Sequence, residues 1–304
     1  MAAEVKKTII VPWDYTEASA IALEHAYQLA HVTGDTIMLL QCVPTKRTFS
    51  RAARDKQHDM LENLRSKLTE QVQQLTKQYA ALGAELSLML KKESYVKHQV
   101  QSVTLLPMVV GYRNLPKAFF ELYKSMEVNL VVTSNFYQAT EKKTLNMATV
   151  LRKVPSGRLD TLPFIIVKNK PVHRYYTDLV VPMDNSWAFK ESLRWVAYLS
   201  SYYHCNVNLI KPALSEGFNK RGMANNTYFT KKILDAHNVV YGIKTAERGQ
   251  DFSRAVEQFS KAIDADMIII MTDRAKKIFP KDVIKSDIPV MMINPLSKKI
   301  GGFS

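Results

Sequence analysis

Four residues at the end of a short apolar run, Val11-Pro12-Trp13-Asp14, return in the second half of the chain as Val181-Pro182-Met183-Asp184. Each copy closes a β-branched stretch, Thr8-Ile9-Ile10-Val11 in the first and Leu179-Val180-Val181 in the second. Continuous apolar runs of this length read as strands buried on both faces, and the proline that follows cannot donate to a ladder and so ends each one. Beyond the acid, Ala18, Ile21, Ala22, His25, Ala26 and Leu29 recur at helical spacing, as do Phe189, Leu193, Val196, Ala197 and Leu199. The echo therefore predicts strand, tight turn and helix twice over, with an acid at each turn.

The rest of the chain fits around this unit. Gly34 is a helix stop, and Thr36 to Leu40 reads as a second strand. Met60, Leu61, Leu64, Leu68, Val72, Leu75, Tyr79 and Leu82 predict a long helix from about Ala53 to Leu82. A third strand region is expected at Glu85 to Leu90, continued or repeated at Val103 to Gly111. A helix over Pro116 to Met126, a strand over Val128 to Thr133, a helical stretch from Leu145 to Val154 and a strand over Pro163 to Val167 follow. Lys168 to Tyr176 reads as a linker, after which the order repeats in compressed form. There, strands are expected at Asn206 to Ile210, Val239 to Ile243, Asp266 to Met271 and Ile288 to Ile293, with helices near Tyr228 to His237 and Phe252 to Ile263. Strands alternating with helices imply parallel sheets closed by right-handed crossovers. The expected fold is α/β: two tandem doubly wound, Rossmann-like, five-stranded parallel-sheet domains, residues 1–170 and 171–304, which suits a chain of 304 residues.

A net charge of +14 favours anionic partners, nucleic acid or acidic protein among them. The cations nevertheless come as scattered pairs such as Lys46-Arg47 and Lys231-Lys232, the pattern of a solvated basic surface. Two cysteines, Cys42 and Cys205, make no disulfide framework and read as reduced, buried side chains. No apolar run approaches the ~20 residues of a membrane span and no signal-peptide layout is present, so a cytoplasmic location is expected. The seven histidines keep no metal-ligand spacing, and the nucleophile elbow, Walker loop and dinucleotide glycine motif are all missing. No catalytic constellation emerges, and an enzyme is not expected.

In strand order the sequence resembles the universal stress protein family in its tandem two-domain form. The residues that carry the likeness are Ile9 to Asp14 with the Ala18-Ser19-x-x-Ala22-Leu23 helix, Val128 to Ser134, Pro163 to Val167, Leu179 to Asp184, Ala265 to Thr272 and Ile288 to Pro295. The resemblance implies a five-stranded parallel sheet and, in many members, binding of ATP or a related nucleotide such as AMP, with the acid after strand one facing adenine and ribose. Carried over, the nucleotide-binding set would be Pro12, Asp14, Val43, Thr133 and Ser134, with Asp184 in the second half. The family's Gly-x-x-Gly and later Gly-hydroxyl signature after strand four is missing from both halves: Thr133 to Ala139 and Thr272 to Phe279 hold no glycine. Glycines there let backbone approach phosphate, so their loss removes the cradle. Each acid also has a structural alternative, satisfying free N–H groups at a helix start, worth about 1 kcal/mol.

The expectation is thus a non-enzymatic, universal stress-like regulatory or scaffolding module without a resident cofactor or metal, acting through a protein partner. The alternatives are an adenine-nucleotide sensor and a binder of an anionic macromolecule. In the family strand five commonly pairs across a dimer; here residues 163–167 and 288–293 would make that pairing internally, with homo-oligomers a further possibility.

Overall fold

The computed structural model describes residues 7–46, 50–93, 101–153, 162–213, 218–274 and 286–293. In the first half, β1 (Thr8–Pro12), α1 (Glu17–Thr33), β2 (Thr36–Pro44), α2 (Arg51–Glu93), β3 (Leu105–Tyr112), α3 (Leu115–Ser125) and β4 (Val128–Ser134) follow in turn. A hairpin of β5 (Phe136–Thr140) and β6 (Lys143–Asn146), the short α4 (Met147–Arg152) and β7 (Phe164–Val167) complete it. The second half runs β8 (Asp178–Pro182), α5 (Lys190–Tyr202), β9 (Asn206–Lys211), α6 (Phe218–Ala236), β10 (Val240–Thr245), α7 (Phe252–Ala262), β11 (Met267–Met271) and β12 (Val290–Ile293).

Ten of these strands form one sheet in the order β10-β9-β8-β11-β12-β7-β4-β1-β2-β3. Within each half every pairing is parallel. The halves join where β12 runs antiparallel to β7, with Val290 opposite Ile166 and Met292 opposite Phe164. This is the internal pairing of fifth strands expected from the sequence. Because that one junction reverses direction, the carboxyl ends of the two sets of strands lie on opposite edges of the sheet.

Strand alternation sends residues to two cores. Ile9, Val11, Leu130, Val132, Ile269 and Met291 face one, while Ile10, Val131, Phe164, Ile166, Ile268 and Met292 face the other. Both faces are covered, which is why these strands read as unbroken apolar runs. Each fully buried Ile or Leu side chain contributes roughly 1.5–3 kcal/mol. The halves also interlock over the first core: the Tyr203 hydroxyl donates to the Gln28 carbonyl (3.2 Å), and Asn129 donates to both Asp35 (3.0 Å) and the Tyr198 hydroxyl (3.0 Å).

Three expectations are corrected. The segment Glu85 to Leu90 is not strand but the last part of α2. Tyr79, Gly83 and Leu86 extend the buried stripe at helical spacing, and Gly83 lets the helix close on Tyr27, since a Cβ there would lie 2.4 Å from the Tyr27 hydroxyl. Leu145 belongs to β6 rather than to a helix, which is confined to Met147–Arg152; Val154 lies outside the described residues. The helix expected near Tyr228 starts at Phe218. Of the second-half segment Thr272 to Phe279, residues 275–279 lie outside the described residues.

Candidate functional site

In an open α/β sheet, ligands gather at the carboxyl ends of the strands, where the strand order reverses. The first half reverses between β4 and β1, the second between β8 and β11. Asp14 sits at the first crevice and Asp184 at the second, so the two acids occupy opposite sheet edges and cannot act on one ligand.

At the first crevice Pro12 ends β1 opposite Leu40, and Trp13 donates its N–H to the Leu40 carbonyl (2.9 Å). The chain then turns away through Tyr15, held in the left-handed region at φ 64°, a conformation uncommon for a side chain of that size. Asp14 Oδ1 accepts from the Thr16 N–H (3.1 Å) and the Thr16 hydroxyl (2.6 Å). The cap of α1 is Thr16 itself, accepting from the Ser19 N–H (3.3 Å). Asp14 therefore closes a turn one step before the helix and does not cap it. Its second oxygen, Oδ2, accepts from the backbone N–H of Gln138 at 2.6 Å.

That last contact comes from the β5–β6 hairpin, which sequence reasoning missed. It leaves the end of β4, crosses the crevice and reaches β2. There the Tyr137 hydroxyl, in a side chain only 3% exposed, accepts from the Cys42 N–H (2.7 Å) and donates to the Cys42 carbonyl (3.0 Å). Cys42 lies beyond the end of β1, so no strand pairs these backbone groups on that side, and buried backbone polar groups require partners. Tyr137 supplies them from the hairpin. Burial pushes the Cys42 thiol up to about 12, leaving it protonated and inert.

Thr133 and Ser134 are buried in the same edge. Thr133 donates its hydroxyl to the Ser134 carbonyl (3.0 Å), and Ser134 donates to the Phe136 carbonyl (2.7 Å), holding the turn into the hairpin. Val43 is half-buried in β2, opposite Gly111 of β3. Pro12, Asp14, Thr133 and Ser134 are thus brought to one crevice, with their polar groups directed at the chain itself.

The second crevice is crossed differently. Asp184 Oδ1 accepts from the Ser186 N–H (2.6 Å), and Asp184 Oδ2 lies 3.2 Å from Arg274 Nε across the β8–β11 gap. Arg274 is also 3.3 Å from Asp273, so the guanidinium is shared between two carboxylates as an ion pair rather than in an aligned hydrogen bond. Asn226 of α6, 4% exposed, donates to the carbonyls of Asp184 and Ser186, each at 2.7 Å, and fixes the turn from behind. Asn226 was not legible as a site residue: an Asn on a helix's buried face carries no pattern of its own.

Among the described residues no group of three His, Cys, Asp or Glu side chains is placed to hold a metal ion, and no helix is long and apolar enough to cross a membrane.

Removing one hydroxyl tests the account of the hairpin. Tyr137→Phe leaves the Cys42 N–H and carbonyl buried without partners and is expected to cost about 1–3 kcal/mol in urea unfolding. A loss within experimental error would mean that water already serves Cys42.

Two parallel five-stranded halves, each with an acid at its switch point and fifth strands paired antiparallel, define a tandem, doubly wound α/β protein. A model of the universal stress protein family matches residues 6–105. A universal stress protein from Archaeoglobus fulgidus DSM 4304 superposes on 94% of this chain and 96% of its own at 13% identity, with a TM-score of 0.60. A protein of unknown function from Pseudomonas aeruginosa PAO1 covers 96% of this chain and 94% of its own at 12% identity, TM-score 0.54. No curated protein matches the sequence. The resemblance read from the sequence stands: the family model supports it in the first half, and the fold agrees across both.

Proposed function

We propose that the chain is a non-enzymatic universal stress-like module, built of units 1–170 and 171–304, which regulates or scaffolds a protein partner and has given up nucleotide binding at its first crevice. The observation that carries this reading is the self-satisfied crevice. Asp14, the acid that the resemblance assigns to adenine and ribose, accepts from Thr16 and Gln138, while Tyr137 occupies both backbone groups of Cys42. A nucleotide entering there must displace the hairpin and break these bonds before forming its own, and the loop that would cradle its phosphates has no glycine. In the second crevice the Arg274–Asp184 pair would have to open as well.

Calorimetry with the purified chain is expected to show no ATP binding below about millimolar Kd, a ceiling that corresponds to roughly 4 kcal/mol of binding free energy. A tight ATP complex that Asp14→Ala abolishes would overturn the proposal in favour of a nucleotide sensor.

A further inference from the structure

The carboxyl ends of β9 and β10 and one face of α6 enclose a groove of about 640 Å³ that belongs to neither crevice. It lies at the free edge of the sheet, since β10 is the outermost strand. Lys220, Ala224, Thr227, Tyr228 and Lys231 are spaced to share one side of α6, and all five line the groove. Lys211 at the end of β9, Thr245 at the end of β10 and Arg248 just past it form the opposite wall.

The position of α6 is fixed from its other side. A Cβ at Gly222 would stand 2.8 Å from the Asn185 carbonyl oxygen, so the helix lies directly on the Asp184 turn, to which Asn226 is hydrogen-bonded. The groove is therefore built on a rigid contact and not on a loose surface helix.

Its chemistry is one-sided. Lys211, Lys220, Lys231 and Arg248 contribute four positive charges, the described lining contains no carboxylate, and among the described residues none of the four is ion-paired. Elsewhere on this protein lysines do find acids, as in Lys168–Asp287 and Lys261–Glu257. Unmatched cations converging on a concavity raise the local concentration of anions. Two hydroxyls, on Thr227 and Thr245, add donors, and the Tyr228 ring is 64% exposed beside them. A volume of this size is that of a small-molecule site rather than of an extended polymer track. Four charges are matched by two phosphate monoesters, each carrying about −1.5 to −2 at neutral pH.

We infer that this groove binds a small molecule bearing two or more phosphate groups, held by Lys211, Lys220, Lys231 and Arg248. The inference is independent of whether the Asp14 crevice takes nucleotide, because the two sites share no residue.

The test uses the full chain and inorganic tripolyphosphate as the probe, titrated by calorimetry at low and physiological salt. The double variant Lys220→Glu/Lys231→Glu is expected to raise Kd at least tenfold. The control Lys56→Glu/Lys77→Glu, which makes the same charge change on exposed positions of α2, is expected to leave it within twofold. If reversal of charge disturbs folding, seen as a lowered thermal midpoint, Lys220→Gln/Lys231→Gln makes the same test with a smaller expected loss of about threefold. Equal losses in groove and control variants would assign the affinity to net charge alone and overturn the proposal. So would a ten-nucleotide single-stranded RNA that binds more than tenfold tighter than tripolyphosphate and loses that advantage in the groove variant, since the occupant would then be a nucleic acid.

Discussion

Replacing Asp266 by alanine is expected to destabilise the chain by about 2–4 kcal/mol, the cost of leaving backbone donors at a strand start without their acceptor. Asp266 stands just before β11, 7% exposed, beside the start of β8. Its Oδ2 accepts from the N–H groups of Thr177 and Asp178, each at 2.7 Å, and from the Thr177 hydroxyl at 3.2 Å. Its Oδ1 meets the His173 imidazole, which the linker brings in. Alanine leaves two buried N–H groups without an acceptor and frees the linker at the same time. The exposed Asp264 lies 3.1 Å from the other nitrogen of the same imidazole, with its side chain 82% exposed, so Asp264→Ala is expected to cost under about 1 kcal/mol. Thermal melts should separate the two variants, the first falling by roughly 10 °C. The penalty also has a pH signature. Desolvation alone would lower the His173 pKa, but its bonds to Asp266 and Asp264 outweigh that and raise it. A raised histidine stabilises the folded chain below its unfolded pKa and loses that contribution as pH rises through the folded value. Asp266→Ala should therefore cost more at pH 6 than at pH 9. Equal melts for the Asp264 and Asp266 variants would show that the linker is not clamped at this point.

Sequence made the central strands β1, β4, β7, β8, β11 and β12 legible because they are buried on both faces and so carry their own signal, independent of what packs on them. Their alternation with helices then implied parallel pairing. What escaped was structure defined by distant or backbone partners. The β5–β6 hairpin alternates weakly, with Tyr137 opposite Leu145 but Gln138 opposite Thr144, and its Glu141-Lys142 turn lacks the glycine or asparagine that marks a tight hairpin. The acceptor role of Asp14 depends on a backbone N–H at position 138, and a backbone donor leaves no mark in composition. At Glu85 to Leu90 the alternation of Leu86, Leu88 and Leu90 imitates a strand; only the packing of Tyr79 on Tyr27, with Leu86 buried in the same core, decides for helix. The acids after β1 and β8 were found, while the groups that engage them were not: both Gln138 and Arg274 follow a fourth strand, where the missing glycines drew attention to what was lost rather than to what replaced it.

His25 joins the two halves through a bond that acid should break. It lies in the middle of α1, 2% exposed, and is read as neutral. Nε2–H donates to the Asn169 carbonyl at 2.9 Å, and Nδ1 accepts from the Tyr176 hydroxyl at 2.5 Å, so a first-half helix holds both ends of the linker. Burial lowers its pKa to about 4, with the Asn169 carbonyl pulling weakly the other way. Protonation removes the acceptor that Tyr176 uses and leaves a cation in a site with no carboxylate bonded to it. Because the folded pKa lies below the unfolded one, the stabilisation is fully present above the unfolded value of about 6.5 and drains away as pH falls toward 4. Integrated over that interval the loss is about 3 kcal/mol, a large share of the stability of an ordinary domain. Glutamine at this position can keep one donor and one acceptor but cannot titrate. His25→Gln is therefore expected to be less stable than the native chain at pH 7 by about 1–2 kcal/mol, yet to lose less as the solution is acidified, so that in urea unfolding the two stabilities cross between about pH 6 and pH 5 and the variant is the more stable at pH 4. If the curves instead stay parallel from pH 7 to pH 4, His25 accepts its proton without cost and does not couple the halves to pH.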